Sequence, residues 1–72
     1  MKEEKIKKKI NYFYDNMSKV HVTLNNKTFY NGFISDIRDD AFIIEEDKLG
    51  RIDVFMDDVY DLNTYIIKKE EE

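Results

Sequence analysis

A chain of 72 residues with no cysteine and one histidine, His21, makes a single small domain. Disulfides and thiolate zinc sites are excluded as staples and a single histidine argues against a histidine-based metal site, which leaves self-association as the natural way to bury more surface. The net charge of −4 argues against a general nucleic-acid coat but not against a local basic face: Lys2, Lys5, Lys7, Lys8 and Lys9 crowd the start, while acids dominate from Asp36 to Asp61. No apolar run approaches the roughly 20 residues of a membrane span, and the charged start lacks the apolar core of a secretory signal. A cytoplasmic protein without a membrane contact is the expectation.

Residues 1–18 read as a helix. Ile6, Ile10, Phe13 and Met17 fall on one face of a 3.6-residue period, with lysines and glutamates opposite, and Asp15, Asn16 and Ser18 lower helix propensity at the exit. From Val20 the period becomes two. Val20, Val22 and Leu24 alternate with His21, Thr23 and Asn25 as a half-buried strand, and Asn25-Asn26-Lys27 is a turn. A second strand, Thr28 to Arg38, carries Gly32, which marks a bend, a bulge or close backbone approach. After the turn Arg38-Asp39-Asp40 come a third strand, Ala41 to Glu45, a polar turn ending in Gly50, and a fourth strand, Arg51 to Met56. Asp57-Asp58 interrupts, Val59 to Ile67 is a fifth strand, and residues 68–72 form a charged tail. No proline, repeat or linker divides the chain, so 1–72 is one domain: a mainly β fold with an N-terminal helix before a bent five-stranded antiparallel barrel over 20–67.

The segment "VHVTLNNKTFYNGFISDIRDDAFII", Val20 to Ile44, resembles the first motif of the Sm-like and Hfq-like (LSm) family. The matching features are an alternating strand ending at Leu24, an asparagine turn at Asn26, Gly32 at the centre of the next strand, Ile34, Ile37 five positions after the glycine, and the short apolar run Phe42-Ile43-Ile44. "VFMDDVYDL", Val54 to Leu62, is similar to the second motif of the Hfq branch. The resemblance covers roughly residues 5 to 66. It implies an Sm-like (SH3-like) barrel that pairs edge to edge through its fourth and fifth strands into a homo-oligomeric ring, a hexamer or heptamer. It also implies binding of single-stranded RNA, without catalysis or a cofactor. Unpaired edges and a short unstapled chain favour association on physical grounds as well.

Residue by residue the pattern departs at the pocket. Where Hfq-like proteins carry a lysine and a histidine that hold uridine, this chain has Met56 and Asp57. Where they carry an aspartate and a stacking aromatic, it has Arg38 and Asp40, and Phe42 stands where the wider family has an asparagine. A ring would gather Asp57 and Asp58 around its pore, where they repel phosphate. The RNA-facing candidates are therefore Arg38, able to stack and to bond phosphate, Phe29 and Phe33 as outward aromatics, and Lys7, Lys8 and Lys9 along a phosphate track. Alternatively, the two phenylalanines pack under the helix or in a subunit seam, and the lysines form a solvated face beside Glu3 and Glu4.

The pair Asp57-Asp58 has three readings: a polar turn, a cation or basic-partner site in an oligomer, or an acid/base pair. Adjacent strand residues point to opposite faces, so the two carboxyls converge only at a turn, and no calcium-loop pattern surrounds them. His21 has no nucleophile partner, and no phosphate loop or nucleotide fingerprint is present. The leading function is an RNA chaperone or RNA-metabolism factor. The alternative is an adaptor ring or SH3-like interaction module with an acidic, cation-binding face.

Overall fold

A computed structural model describes residues 2–65 of the chain. Helix α1 spans Lys2–Asp15 and is followed by strands β1 (Lys19–Leu24), β2 (Phe29–Ile37), β3 (Ala41–Glu46), β4 (Gly50–Phe55) and β5 (Val59–Thr64). A single 3₁₀ turn, Met56–Asp58, separates β4 from β5. The expected tail, 68–72, and the end of the expected fifth strand, Ile66 and Ile67, lie outside the described residues.

The helix ends three residues earlier than its periodicity implies. Met17 has a left-handed backbone, φ 53°, and is 80% exposed, so it is not part of the buried stripe. The amide of Ser18 donates to the carbonyl of Phe13 (3.0 Å) and that of Met17 to Tyr14 (3.2 Å). This is the Schellman arrangement that satisfies the last helical carbonyls, with methionine at the position glycine usually fills. Ile6, Ile10 and Phe13 remain buried, and they cover one open side of the sheet.

The strands form one antiparallel sheet in the order β4-β3-β2-β1-β5. Strands β4 and β5 are consecutive in sequence yet stand at opposite edges, so the sheet has to curl through the three residues of the 3₁₀ turn. Two bulges supply curvature. Across β2 and β3 the register moves from Ile34↔Ile44 to Asp36↔Ile43, which leaves Ser35 as an extra residue. Across β1 and β5 it moves from Thr23↔Asp61 to Leu24↔Val59, which leaves Tyr60 extra. Bulges of this kind bend a strand and raise its twist. Alternation then sends Val20, Val22, Ile34, Phe42, Ile44, Val54 and Leu62 inward against the helix stripe.

The hairpin turns follow from their residues. In Asn25-Asn26-Lys27 the third residue is left-handed (Lys27, φ 77°), and Asn26 Oδ1 accepts from the Thr28 amide (3.1 Å) and hydroxyl (2.7 Å). The β3–β4 turn closes on Gly50, φ 81°, and is spanned by the carboxylate of Glu46. Glu46 Oε1 accepts from the amides of Lys48 (2.8 Å) and Leu49 (2.9 Å), and Oε2 from that of Asn31 (3.2 Å). These bonds, that from Leu49 foremost, then Lys48 and Asn31, hold the Glu46 carboxyl below its ordinary value of 4.5. A carboxyl lowered in the folded state contributes stability above its unfolded value and loses that contribution as pH falls through its folded value. Thermal melts taken from neutral pH down through the carboxylate range will show a falling melting temperature. In Glu46→Gln, which keeps a carbonyl acceptor but does not titrate, the fall will be shallower. An identical acid limb in the variant would assign the effect to other carboxyls.

Candidate nucleic-acid interface

Three turns meet at one end of the barrel. The amide of Asn25, in the β1–β2 turn, donates to the carbonyl of Asp58 (2.9 Å), and its side-chain Nδ2 donates to the carbonyl of Asp57 (3.0 Å). The amide of Met56 donates to the carbonyl of Asp40 in the β2–β3 turn (2.9 Å). Asp57 and Asp58 therefore sit in a 3₁₀ turn whose backbone is held by its neighbours, with Met56 buried beneath it. Asp39, Asp40, Asp57 and Asp58 are all exposed there, so this end is acidic. Among the described residues no group of three or more His, Asp or Glu side chains is placed to hold a metal ion.

Arg38 lies at the same end. Its Nε donates to Asp36 Oδ2 at 3.0 Å. That bond, followed by one from the Ile37 amide, holds the Asp36 carboxyl below the usual carboxylate range. The guanidinium is thus already committed to one carboxylate, at an end of the barrel that carries four more exposed ones. The helix lysines stand apart from it. Lys7 and Lys8 are exposed, whereas Lys9 reaches β5, with Nζ 3.2 Å from Asp61 Oδ1 and 3.5 Å from Asn63 Oδ1. Burial pushes the Asp61 carboxyl up, but bonds from the Leu62 amide, Asn63 and Lys9 outweigh it and hold the group low.

Phe29 and Phe33 occupy a third place. In β2 they point to the outer face of the sheet, 57% and 46% exposed, while Tyr30 and Ile34 face the core. They do not pack beneath the helix. The β1–β2 register sets Thr23 opposite Phe29, His21 opposite Asn31 and Lys19 opposite Phe33, so all six share the outer face. His21 Nδ1 lies 2.6 Å from Asn31 Oδ1, and the imidazole packs on the Phe29 ring at 5.1 Å between centroids. Lys19 is engaged beside Phe33: its Nζ is 2.5 Å from Asp47 Oδ2 and 4.5 Å from the centre of the Tyr65 ring. The structure thus places the two phenylalanines on one surface, the helix lysines on another and Arg38 on a third.

Two features were not singled out from the sequence. One is the His21–Asn31 pair between the phenylalanines. The other is a shallow groove of about 370 Å³ lined by Thr23, Leu24, Asn25, Lys27 and the bulged Tyr60. The first follows once the Asn25-Asn26-Lys27 turn is used to set the register. The second depends on the β5 bulge that turns Tyr60 outward.

No family model matches the sequence, and no curated protein matches it significantly. Among solved structures, the fold is similar to the crystal structure of Hfq, described as a pleiotropic translational regulator. The TM-score is 0.70 at 14% sequence identity, over 79% of this chain and 93% of that one. A helix followed by five antiparallel strands in one curled sheet, superposing on nearly the whole of that chain, is the Sm-like fold of Hfq.

Proposed function

We propose that the chain assembles through β4 and β5 into an Hfq-like ring that binds single-stranded RNA, as a non-enzymatic RNA chaperone or RNA-metabolism factor of the cytoplasm. The observation that carries this reading is the Hfq-like fold, with β4 and β5 at opposite edges of the sheet and no further strand beside either among the described residues. An edge strand presents a row of free amides and carbonyls, and a closed ring of copies pairs every one of them. Each edge carries an exposed aromatic, Phe55 on β4 and Tyr60 on β5, that adds apolar area to such a seam. Phe29 and Phe33 supply stacking surface, Lys7 and Lys8 supply charge for phosphate, and Lys9 and Arg38 supply less because each already faces a carboxylate.

The exposed carboxylates of Asp39, Asp40, Asp57 and Asp58 favour a second reading, an adaptor ring that holds a basic partner or a cation at its acidic end. Native mass spectrometry of the protein purified without nuclease separates the two. A ring carrying nucleic-acid mass, released by salt, is the expected result. A ring without nucleic acid transfers the function to the acidic end, where Asp57→Asn or Asp58→Asn should then release the partner. A monomer ends the ring reading and leaves an SH3-like interaction module.

A further inference from the structure

We infer that Asn31 is the chain's site of deamidation, and that the sheet withholds it from reaction until the domain unfolds. The inference stands apart from RNA binding and from the ring.

The residue after each asparagine sets the chemistry. In deamidation the backbone nitrogen of that next residue attacks the asparagine side-chain carbonyl carbon. A C–N bond forms, ammonia leaves, and a succinimide ring remains. Water then opens the ring at either carbonyl, which gives aspartate or isoaspartate without any oxidant or reductant. A Cβ on the next residue crowds the attack, so glycine permits it best. The chain has six asparagines, and five of them precede Tyr12, Met17, Asn26, Lys27 or Thr64. Asn31 alone precedes a glycine. That glycine is required, because a Cβ at position 32 would collide with the backbone carbonyl of Glu45. The fold therefore imposes the labile dipeptide on β2.

The same fold holds every group that would react. Asn31 Oδ1 lies 2.6 Å from His21 Nδ1, which fastens the side chain across to β1. The Asn31 amide donates to Glu46 Oε2 (3.2 Å), and its carbonyl accepts from the Asp47 amide (2.9 Å). The backbone groups of Asn31 thus face β3, and those of Gly32 face β1. The β1–β2 ladder agrees. The Leu24 amide donates to the Thr28 carbonyl (2.8 Å), and at alternate positions beyond it Val22↔Tyr30 and Val20↔Gly32 are the pairs that exchange bonds. The attacking nitrogen, that of Gly32, is therefore engaged with the Val20 carbonyl. Strand β2 lies between β1 and β3, so this nitrogen comes free only when the sheet opens.

Conversion in the open chain is a one-way exit. Isoaspartate routes the backbone through its side chain and adds a methylene before Gly32. The glycine then misses the place where β3 passes close, and the converted chain does not rebuild the sheet.

The test incubates the full chain at mildly alkaline pH, in buffer and in urea. Isoaspartate is followed by the methyl label that an isoaspartyl methyltransferase adds to it, and peptide mapping places the label. In urea the label should appear at Asn31 before any other asparagine, and Asn31→Gln should remove this early label. In buffer the conversion should be slower by at least about a hundredfold, since only the unfolded fraction reacts. Ile10→Val and Ile10→Ala loosen the core under the helix and leave the dipeptide unchanged. They should speed conversion in buffer by about fivefold and about a hundredfold, with the urea rate unmoved. Circular dichroism verifies their folding, and Ile10→Val alone carries the comparison if Ile10→Ala is unfolded. First label at another asparagine in urea overturns the site. Equal rates in buffer and urea overturn the shielding. A rate in buffer that neither Ile10 variant moves means that Asn31 reacts within the folded sheet, and overturns the need for unfolding.

Discussion

Gly32→Ala is expected to abolish the cooperative fold or to lower its melting temperature by well over ten degrees. A Cβ on Gly32 would lie 2.0 Å from the carbonyl oxygen of Glu45, 2.7 Å from its carbonyl carbon and 2.9 Å from the Cα of Glu46. All three atoms are backbone, so no rotamer change relieves the contact and β3 itself must move. Gly32 is also paired on both sides, with Val20 of β1 and Glu46 of β3, so displacement breaks a ladder in the middle of the sheet. Overpacking by side-chain atoms alone costs about 1–3 kcal/mol. A backbone collision belongs at or above the top of that range. A domain of 72 residues has about 4–11 kcal/mol in total. At about 4–8 °C per kcal/mol, a loss of ~3 kcal/mol shifts the midpoint by about 12–24 °C. Gly50→Ala is the internal control. Gly50 has a left-handed φ of 81° but open space around its missing Cβ, so only the backbone term of about 1–2 kcal/mol applies. If Gly50→Ala proves as damaging as Gly32→Ala, close approach of β3 is not what requires glycine at position 32.

The same close approach explains part of what was legible in the sequence. A glycine in the middle of a β-branched and aromatic run signals a bend or a near neighbour, and Gly32 is where β3 crosses closely. Alternation, together with apolar or β-branched and aromatic runs set between polar turns, located the five strands, and the turn Asn25-Asn26-Lys27 fixes the register that puts His21 against Asn31. Alternation did not reveal the bulges, although they leave a trace. Ile34 and Ile37, and again Val59 and Leu62, face the core three residues apart, a spacing that neither a straight strand nor a two-residue period allows. An extra residue between inward positions is what a bulge is. Read that way, "VYDL" places Tyr60 and Asp61 outside together, one lining the groove and the other receiving Lys9. The helix was legible except at its exit. Met17 continues the apolar period, but the chain leaves the helix at Asp15, and the Schellman turn satisfies the last carbonyls whatever side chain stands at position 17. The Lys9–Asp61 contact joins residues 52 apart in sequence, and nothing local announces it.

That contact and the apolar stripe beside it divide the work of docking α1, and the division sets the second large expectation. Ile10→Ala should destabilise the domain by about 3 kcal/mol, while Lys9→Ala should cost at most about 1 kcal/mol. Ile10 is fully buried at the centre of the stripe between Ile6 and Phe13. Truncation to alanine removes three carbons from a filled interior and leaves a cavity that the sheet, already held by its ladders, collapses into only partly. Helix propensity cannot be the cause of the loss, since alanine is the better helix former. The Lys9–Asp61 pair is 42% and 44% exposed, so solvent screens most of its attraction. The helix has 14 residues, a length that is marginal in water without a surface to pack on. Detached, it should melt, and the helical dichroism and the sheet should be lost in one transition at a lower temperature. Chemical denaturation of the two variants measures both differences. A Lys9→Ala loss equal to that of Ile10→Ala would make the ion pair the anchor. A helical signal that outlasts the sheet in Ile10→Ala would make α1 independent of the barrel it covers.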